Sequence, residues 1–539
     1  MGPAAEATAG APALDAHECL VQALLHGDAL PGDPARRRLI QTHISSLLVD
    51  GERVYKLRKP LVLPFLDFST PARRRADCEE ELRLNRRTAP SLYIGVQPVT
   101  GTLDAPRLGG DEGAALDWVL VMRRFDDSLL LGRMAREGRV DAALVDALAA
   151  TIAAFHAALP PSAPGHGEPA QVRRWALDNL DALEAVPDLS PERAPMRRLR
   201  AWTESTFQRL APTLAARREA GFVREGHGDL HLDNIVLLDG VPRPFDALEF
   251  NPELRHADIV ADIAFPFMDL WRHGLPHLAW RLADRWAQDG GDTGGLVLLR
   301  CFAVYRALVR AKVAALRGAQ GDGEAFVAAR RDLALAQAIA GLDPAIPRPR
   351  LVLTSGLSGS GKSTVALELV EALGSVRLRS DVERKRLHGL APLDRPTPEQ
   401  ALTLYGREAT RRTFDHLAGL AQALLAGGET VIVDAAFLHR AERDRFRSMA
   451  ARQGVPALVV DCRAPEAVLR ERLRERARSG HDPSDAGIEV LERQLAFHQD
   501  VAADEPAAVL DTAADPATVA AKCHALARDI LAGTYDRRP

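Results

Sequence analysis

The sequence is poor in cysteine and has no long apolar run. Its 539 residues include five cysteines, with no CxxC pair among them, which argues against a disulfide framework and against a structural zinc site. No stretch comes near the roughly 18 apolar residues of a membrane helix. Because no lysine or arginine precedes Arg36 and no apolar segment follows the start, we see no secretory signal. We therefore expect a cytoplasmic protein without a membrane partner.

Net charge and aromatic content are also low. The formal net charge is −4, and the chain has 16 Phe, 6 Trp and 5 Tyr. A weak global field attracts neither nucleic acid nor an anionic membrane. Few aromatic rings leave few stacking platforms for single-stranded nucleic acid. We therefore do not favour a nucleic-acid partner.

Lysine is rare as well, and its positions are informative. Of the 69 lysine and arginine residues, the lysines stand only at positions 56, 59, 312, 362, 385 and 522. An ammonium is a compact point charge, whereas a guanidinium is a planar fork, so the two are not interchangeable. We therefore look first at the lysines for sites that need a small cation.

The length favours two or three domains, and the clearest boundary is the proline-rich segment 341–350. We predict a disordered tail over 1–15, an N-terminal domain over 16–340, a linker over 341–349 and a C-terminal domain over 350–539. After the linker, apolar strands alternate with helices, which predicts an α/β fold with a parallel sheet. Before it, strands near 44–49, 53–58 and 118–122 accompany a helix near 71–88 and further helices, which predicts an α+β domain. The whole chain is thus expected to be multidomain.

A phosphate-binding loop follows the first strand of the C-terminal domain. Residues 356–364 read GLSGSGKST and fit the pattern GxxxxGK[ST] between a strand and a helix. Glycines let backbone N–H groups face phosphates, the lysine reaches the terminal phosphates, and the first hydroxyl binds Mg²⁺. A glycine turn that only caps a helix explains the strand–loop–helix context less well. We assign the nucleotide contacts to Gly356, Gly359, Ser360, Gly361, Lys362, Ser363 and Thr364, with Lys362 also catalytic and Ser363 also a metal ligand.

Other side chains extend this site. Asp434 ends the strand Thr430–Asp434 and is expected to help hold Mg²⁺. Asp381 follows the second strand and is expected to accept the proton of an acceptor hydroxyl, with Arg384 binding an anionic group of the acceptor. Arg472 and Arg476 lie four residues apart on a helix and are expected to close over the transferred phosphate. For these last residues, a solvated charged surface is the competing interpretation.

A second constellation lies in the N-terminal domain. The segment His227–Asn234 reads HGDLHLDN, with Asp229 and Asn234 five residues apart, as in a kinase catalytic loop. Asp239-Gly240 then predicts a two-residue hairpin. If Leu238 pairs with Val241, Asn234 and Asp246 emerge together at the open end. We expect Asp229 to be catalytic, and Asn234 and Asp246 to bind Mg²⁺.

An ion pair is expected to position ATP in the same domain. Either Lys56 or Lys59 on the second predicted strand pairs with Glu79, Glu80 or Glu81 on the next helix. We choose Lys56, because Lys59 precedes a proline, and Glu81 among the acids. Met122, at the end of the strand 118–122, is expected to lie beside the adenine.

These motifs resemble two known families. The P-loop, the SDxxR segment 380–384, VIVDAAF, RLRER and Ser484-Asp485-Ala486 resemble small P-loop kinases of the gluconate kinase, polynucleotide kinase and chloramphenicol phosphotransferase type, over most of 350–500. In polynucleotide kinase-like members the corresponding aspartate is the general base, which implies that role for Asp381. Residues 40–270, including Asp258 and Asp262, resemble aminoglycoside phosphotransferase-like, protein-kinase-like domains, although GxGxxG is absent and Asp246-Ala-Leu replaces DFG.

The combination resembles bifunctional bacterial proteins that join these two domains. It implies a kinase that transfers the γ-phosphoryl group of ATP to a hydroxyl of a small molecule, with two sites for ATP and Mg²⁺. One alternative is a regulatory switch in which one domain binds nucleotide and transfers little. A second alternative is a nucleotide or nucleic-acid end kinase.

Overall fold

The computed structural model describes residues 11–63, 66–342, 349–479 and 482–534. Within these ranges, no helix has both the length and the apolar character needed to cross a bilayer. The chain divides into two compact units: one comprises Met1–Val140, Phe155–Pro169 and Pro212–Pro266, and the other comprises Asp141–Ala154, Ala170–Ala211 and Phe267–Pro539.

The strands of the described residues are β1 Arg38–Gln41, β2 Ser45–Asp50, β3 Arg53–Arg58, β4 Val62–Leu63, β5 Leu66–Asp67, β6 Tyr93–Gly101, β7 Pro106–Leu108, β8 Asp117–Arg123, β9 Val223–Glu225, β10 Ile235–Leu238, β11 Val241–Pro244, β12 His256–Asp258, β13 Leu351–Ser355, β14 Ser375–Arg379, β15 Thr430–Asp434, β16 Ala457–Arg463 and β17 Ala507–Asp511.

The α-helices are α1 Ala11–His26, α2 Pro71–Asn85, α3 Leu131–Arg136, α4 Ala142–Ala158, α5 Pro169–Glu184, α6 Arg193–Glu219, α7 Pro252–Arg255, α8 Ile259–Arg272, α9 Pro276–Gly290, α10 Leu299–Ala319, α11 Ala325–Ile339, α12 Lys362–Leu373, α13 Ser380–Leu387, α14 Pro398–Leu404, α15 Arg407–Ala426, α16 Arg440–Arg452, α17 Glu466–Ser479, α18 Ile488–Phe497 and α19 Pro516–Leu531.

The first unit is built on an antiparallel sheet of order β1-β2-β3-β8-β6-β7. Successive side chains of a strand point to opposite faces, and β8 shows this directly. Val119 and Val121 pack in a core with α1, whereas Leu120 and Met122 pack in a second core with Cys78 of α2. The sheet therefore has a helix on each face, and the predicted α+β class is confirmed.

Helix α1 corrects part of the predicted tail. Residues 1–10 lie outside the described residues, but residues 11–15 form the start of α1 rather than a disordered segment. Pro12 is tolerated because the first turn of a helix has no intrahelical partner for its missing N–H. Leu20, Val21 and Leu24, which are buried against the sheet, stabilise the helix.

The second unit contains a parallel sheet of order β14-β15-β13-β16-β17. Its strands alternate with helices as predicted, and β13 and β14 are buried along their full length. Strands buried on both faces are typical of parallel sheets with helices on each side. The predicted α/β class of the C-terminal domain is confirmed.

Helices that precede the predicted linker belong to this second unit. Helix α9 packs against α12 and β14, and Arg300 of α10 forms an ion pair with Glu429, whose carboxylate is 2.8 Å from the guanidinium. The compact unit thus begins well before residue 341. Residues 343–348 of the predicted linker lie outside the described residues, and the position of the domain boundary in the sequence stays a prediction.

Candidate functional site

The loop between β13 and α12 has the backbone shape that its glycines predict. Gly356, Gly359 and Gly361 all have positive φ, at 139°, 83° and 79°. A Cβ on Gly359 would lie 2.9 Å from the carbonyl oxygen of Leu469, closer than side-chain carbons approach. Only glycine fits this conformation without displacing the neighbouring backbone. The loop therefore turns in front of the N-terminus of α12, and three of its N–H groups have protein acceptors, since Gly356 N donates to the carbonyl oxygen of Ala436, Ser358 N to Gln494 Oε1 and Ser360 N to the carbonyl oxygen of Leu357.

The polar side chains predicted to bind the nucleotide lie at the end of the loop and on the first turn of α12. Lys362 Nζ donates to the carbonyl oxygen of Leu357 at 2.8 Å, and burial lowers the pKa of Lys362 below its ordinary value. Ser360 is buried, and its Oγ has no hydrogen-bond partner among the described residues. Ser363 is partly exposed and Thr364 is exposed. These side chains thus lie around the loop, and their contact with a nucleotide stays a prediction.

Asp434 stands at the same edge of the sheet. It ends β15, whose neighbours are β13 and β14, so its carboxylate lies where the carboxyl ends of three parallel strands meet. The residue is 4 % exposed. Its Oδ2 accepts no hydrogen bond from any residue in the described ranges. A buried carboxylate oxygen without a donor is the kind of ligand that Mg²⁺ takes, so the site fits the ion.

Two arginines of β14 lie beside Asp434, and sequence reasoning missed both. Arg377 Nη1 is 3.9 Å and Arg379 Nε is 3.5 Å from Asp434 Oδ2. Arg377 Nη1 also donates to the carbonyl oxygen of Ser363 at 3.1 Å, and Arg379 Nη2 lies 3.5 Å from its hydroxyl. Arginines at alternate positions of an otherwise apolar strand were the available signal, since a buried strand rarely carries two cations without a partner.

A cavity of about 850 Å³ opens beside Asp381. Its lining also includes Arg395, Tyr405, Arg476 and Asp485. Asp381 lies in the first turn of α13, immediately after β14. The structure thus places the predicted general base on a cavity of the size that small-molecule sites have.

The Asp485 carboxylate ties together the wall of this cavity. It lies 3.2 Å from Lys385 Nζ and 2.6 Å from Arg395 Nη1, and it accepts a hydrogen bond of 2.7 Å from Tyr405. Burial and the bond to Asp485 raise the pKa of the Tyr405 hydroxyl well above its ordinary value. The hydroxyl therefore remains a donor over the physiological pH range.

The predicted arginine pair occupies two different places. Arg472 Nη2 donates to the carbonyl oxygen of Thr512 at 2.6 Å, and Nη1 lies 3.4 Å from the carbonyl oxygen of Gly359. Arg476 donates to the carbonyl oxygen of Ala486 and lines the cavity. Arg472 thus lies against the phosphate loop, whereas Arg476 lies on the cavity side.

Arg384 differs from its predicted place. It is not among the described residues that line the cavity. The residue is 7 % exposed, and its guanidinium donates to the carbonyl oxygen of Leu404 at 3.0 Å and to Thr410 Oγ1 at 3.1 Å. The expectation that Arg384 binds the acceptor stays a prediction; in this structure the side chain bonds residues of α14 and α15, because burial of a cation requires local hydrogen bonds.

In the first unit, the hairpin brings the predicted groups together. Leu238 pairs with Val241, and Phe245 N donates to Asn234 O at 2.9 Å, as the register argument required. Asn234 Nδ2 lies 3.2 Å from Asp229 Oδ2 and 3.4 Å from the carbonyl oxygen of Asp246. Carboxylate and amide oxygens suit Mg²⁺, so the residues present fit the ion here as well.

The strand lysine is bound on two sides. Lys56 Nζ is 2.9 Å from Glu81 Oε1 and 2.9 Å from Asp246 Oδ1. Lys59 instead donates to the carbonyl oxygen of Thr42 at the surface. Burial opposes the charge of Lys56, but Asp246 and Glu81 raise its pKa well above the ordinary value. The lysine is thus held protonated among the groups that are predicted to face a nucleotide.

Arg58 is a further residue that the sequence did not reveal. It is fully buried and contacts Glu81, Glu249 and Asp77. Since Arg58 and Lys56 are two residues apart on β3, they project to the same face of the sheet. The arginine binds one oxygen of Glu81 while Lys56 binds the other. It therefore fixes the glutamate that orients Lys56.

Asp262 anchors the predicted catalytic loop. Its two oxygens accept hydrogen bonds from His227 N at 2.7 Å and Gly228 N at 2.9 Å. Burial disfavours the charged carboxylate, but hydrogen bonds from His156 and from this backbone hold the pKa of Asp262 well below its ordinary value.

Met122 lies at the end of β8, where it pairs with Val54 and Tyr93. Tyr93 in turn accepts a bond of 3.1 Å from Asp246 N.

Comparisons with known proteins agree with this arrangement. The family model described as "Phosphotransferase enzyme family" matches residues 49–243, and the one described as "AAA domain" (AAA_33) matches residues 351–501. The first match includes Lys56, Glu81 and Asp229, and the second includes Lys362 and Asp434. The uncharacterized protein Rv2004c of Mycobacterium tuberculosis (strain ATCC 25618 / H37Rv) is 32% identical over 444 residues, which cover 82% of this chain and 86% of that protein.

The chain belongs to the Rv2004c family. The uncharacterized protein Mb2027c of Mycobacterium bovis (strain ATCC BAA-935 / AF2122/97) matches with the same identity and coverage. Among solved structures, a gluconokinase from Sinorhizobium meliloti 1021 is 23% identical at a TM-score of 0.25, covering 36% of this chain and 99% of that chain. The Mycobacterium tuberculosis APS kinase CysC in complex with AMPPNP and APS is 22% identical, at a TM-score of 0.25, over 34% of this chain and 97% of that chain.

Both family matches are to nucleotide-binding, kinase-like domains. This member of the Rv2004c family therefore combines a phosphotransferase domain of the APH type with a P-loop kinase domain. It is a phosphotransferase.

Proposed function

We propose that the chain transfers the γ-phosphoryl group of ATP to a hydroxyl of a small molecule, with one site for ATP and Mg²⁺ in each domain. The observation that carries the proposal is the loop before α12, in which glycines with positive φ meet Lys362 and the undonated Asp434 Oδ2. Backbone N–H groups, one ammonium and one carboxylate at the edge of a parallel sheet are what a magnesium-bound triphosphate requires.

At the C-terminal site, the loop N–H groups and Lys362 bind the phosphates of ATP, and Ser363 and Asp434 hold Mg²⁺. The ion supplies positive charge that offsets the negative charge of the phosphate oxygens. Asp381 takes the proton of the acceptor hydroxyl. The acceptor oxygen then bonds to the γ-phosphorus as the bond to the leaving ADP oxygen breaks, and Arg472 and Arg476 offset charge on the transferred group.

The acceptor binds in the cavity of about 850 Å³ beside Asp381. The cavity wall combines apolar side chains, among them Leu402 and Phe497, with Arg395 and Arg476. A hydroxylated molecule with an apolar part and hydrogen-bonding groups suits such a mixed lining. The proposal therefore concerns a small metabolite rather than a nucleic acid.

At the N-terminal site, Asp229 takes the acceptor proton, and Asn234 and Asp246 hold Mg²⁺. Lys56 binds phosphate oxygens of ATP and is oriented by Glu81. The bonds from Lys56 to Glu81 and Asp246, both 2.9 Å, support this assignment, because they place the ammonium beside the metal-binding carboxylate. Met122 contributes to the adenine side of the site.

The test uses the full-length chain, γ-labelled ATP, Mg²⁺ and a panel of hydroxylated metabolites. We expect Lys362→Ala to abolish transfer at the C-terminal site and Asp229→Ala to abolish transfer at the N-terminal site. Each variant removes a group that takes part in phosphoryl transfer at one site, so the rate of transfer at that site is expected to fall at least about 100-fold. Lys522→Ala serves as control, since Lys522 lies at the surface beside Asp511.

Three outcomes would contradict the proposal. If Lys362→Ala leaves all transfer intact, the C-terminal assignment is wrong. If the purified chain hydrolyses ATP but labels no acceptor in a broad metabolite panel, the chain acts as a nucleotide-dependent switch instead. Labelling of an oligonucleotide end in place of a metabolite would favour an end kinase.

A further inference from the structure

Asp284 lies on α9, outside both segments that match a family model, yet it reaches the predicted magnesium site of the P-loop domain through one arginine. Arg377 Nε is 3.1 Å from Asp284 Oδ1, and Arg377 Nη2 is 2.7 Å from Asp284 Oδ2. The two side chains are 2 % and 1 % exposed. The bond is therefore bidentate and buried, which is the strongest geometry that an arginine and a carboxylate form.

The charges around Asp434 show why this contact matters. Arg377, Arg379 and Lys362 all lie near the carboxylate of Asp434. A guanidinium that closes onto Asp434 neutralises it and occupies the oxygen that Mg²⁺ requires. Arg379 has a second acid nearby, since its Nη2 lies 3.6 Å from Asp482 Oδ1, whereas Arg377 needs a further acid of its own to hold it away from Asp434.

Asp284 supplies that further acid. By binding Nε and Nη2 of Arg377, it leaves Nη1 3.9 Å from Asp434 Oδ2, beyond hydrogen-bond distance. The same Nη1 donates to the carbonyl oxygen of Ser363 at 3.1 Å. Gln288, one turn further along α9, donates to the backbone oxygen of Arg377 at 3.2 Å. Helix α9 thus fixes both the backbone and the side chain of Arg377.

We infer that Asp284 is a positioning residue of the C-terminal site: it holds Arg377 away from Asp434 and so keeps Asp434 available for Mg²⁺. The inference rests on the proposed function of that site. A buried ion pair adds little stability compared with a well-packed apolar pair, so stability alone gives no strong reason for its presence. The P-loop domain therefore requires a carboxylate from the helical segment that precedes residue 341.

The test measures binding rather than turnover. Binding of AMPPNP to the full-length chain is followed by calorimetry over a range of Mg²⁺ concentrations and in EDTA, and the part that Lys362→Ala removes is assigned to the C-terminal site. For Asp284→Asn we expect the Mg²⁺ concentration for half-maximal binding to rise about 10- to 100-fold, as for other residues that orient metal ligands. Affinity in EDTA is expected to stay within about threefold of the wild type, since the nucleotide contacts remain.

A second substitution tests the route through Arg377. Arg377→Met removes the competing cation. When it is combined with Asp284→Asn, the Mg²⁺ concentration for half-maximal binding (the Mg²⁺ requirement) is expected to return to within about threefold of the wild type. The control is Glu429→Gln, which breaks the buried pair with Arg300 in the same compact unit. It is expected to lower thermal stability without changing the Mg²⁺ requirement.

The outcomes separate the inference from the proposed function. If the wild type shows no binding that depends on Lys362, the proposed function fails and the inference fails with it. If the wild type binds and Asp284→Asn needs no more Mg²⁺ than Glu429→Gln, only the inference is overturned. Should Asp284→Asn not fold, Arg377→Met and the double variant decide: an increase of tenfold or more in their Mg²⁺ requirement shows that Arg377 supports the ion, and the inference is wrong.

Discussion

Replacing Gly359 by alanine tests whether the loop before α12 binds phosphates. Its φ of 83° lies in the left-handed region, and a Cβ would stand 2.9 Å from the carbonyl oxygen of Leu469. The left-handed conformation alone costs alanine about 1 kcal/mol relative to glycine. The contact with Leu469 adds a displacement of the loop, because a backbone oxygen does not yield as a flexible side chain does.

The control is Gly454→Ala. Gly454 has a φ of 68°, but a Cβ there meets no atom within 4 Å, and the residue lies in the turn after α16. Gly454→Ala is expected to lose about 1 kcal/mol of stability, a shift in melting temperature of about 2 to 4 °C for a domain of this size, and Gly359→Ala is expected to lose more because of the contact with Leu469. Only Gly359→Ala is expected to weaken AMPPNP binding, by at least about tenfold, because the displaced loop no longer directs its backbone N–H groups at the phosphates.

The assay is calorimetric titration of AMPPNP with Mg²⁺, together with thermal unfolding of each variant. The reasoning is refuted if Gly359→Ala binds the nucleotide as tightly as Gly454→Ala does. It is also refuted if Gly454→Ala loses binding to the same extent, because general strain and not the phosphate loop would then explain the effect.

Three further predictions follow from other parts of the molecule. His17 is buried against Ser46, and burial together with Arg74 and Lys59 lowers its pKa to about 4. Because the unfolded chain takes up a proton below about pH 6.5, the free energy of unfolding should fall by about 3 kcal/mol between pH 6.5 and pH 4. Urea titrations should show a smaller loss for His17→Gln. Asp262→Asn removes the charge that holds the N–H groups of His227 and Gly228. In a Lys362→Ala background, it is expected to lower the rate of Asp229-dependent phosphoryl transfer at least about tenfold. An unchanged rate would contradict this role of Asp262. Removal of Mg²⁺ with EDTA is expected to reduce the rise in melting temperature that AMPPNP causes, and an equal rise with and without the ion would argue against both metal sites.

Local sequence was sufficient wherever the decisive contact lies within one short segment. The hairpin is the clearest case, because Asp239-Gly240 sets the register that brings Asn234 and Asp246 together. The same holds for the phosphate loop, whose glycines, lysine and serine are consecutive. A side-chain period of two and a fixed turn geometry translate such spacing directly into three dimensions.

The choice between neighbouring acids needed the tertiary structure. Glu79 bonds Arg75 of the same helix at the surface, and the partly exposed Glu80 bonds Arg83 and Arg255, whereas Glu81 is buried and binds Lys56. All three glutamates have the same chemistry and lie in one helical turn. Which of them faces the sheet depends on how α2 packs on it, and the sequence of the helix alone does not state this.

The amino-acid sequence by itself determined the two fold classes, the phosphate loop and the order of the kinase-like motifs, because each depends on residues that are close along the chain. Only the tertiary structure decided that Arg384 is buried by its own domain and that Arg58, Arg377 and Asp284 support the sites. These are charges in the interior, whose partners lie up to 191 positions away in the sequence. A buried charge is stable only next to its partner, and that proximity is created by folding rather than by spacing.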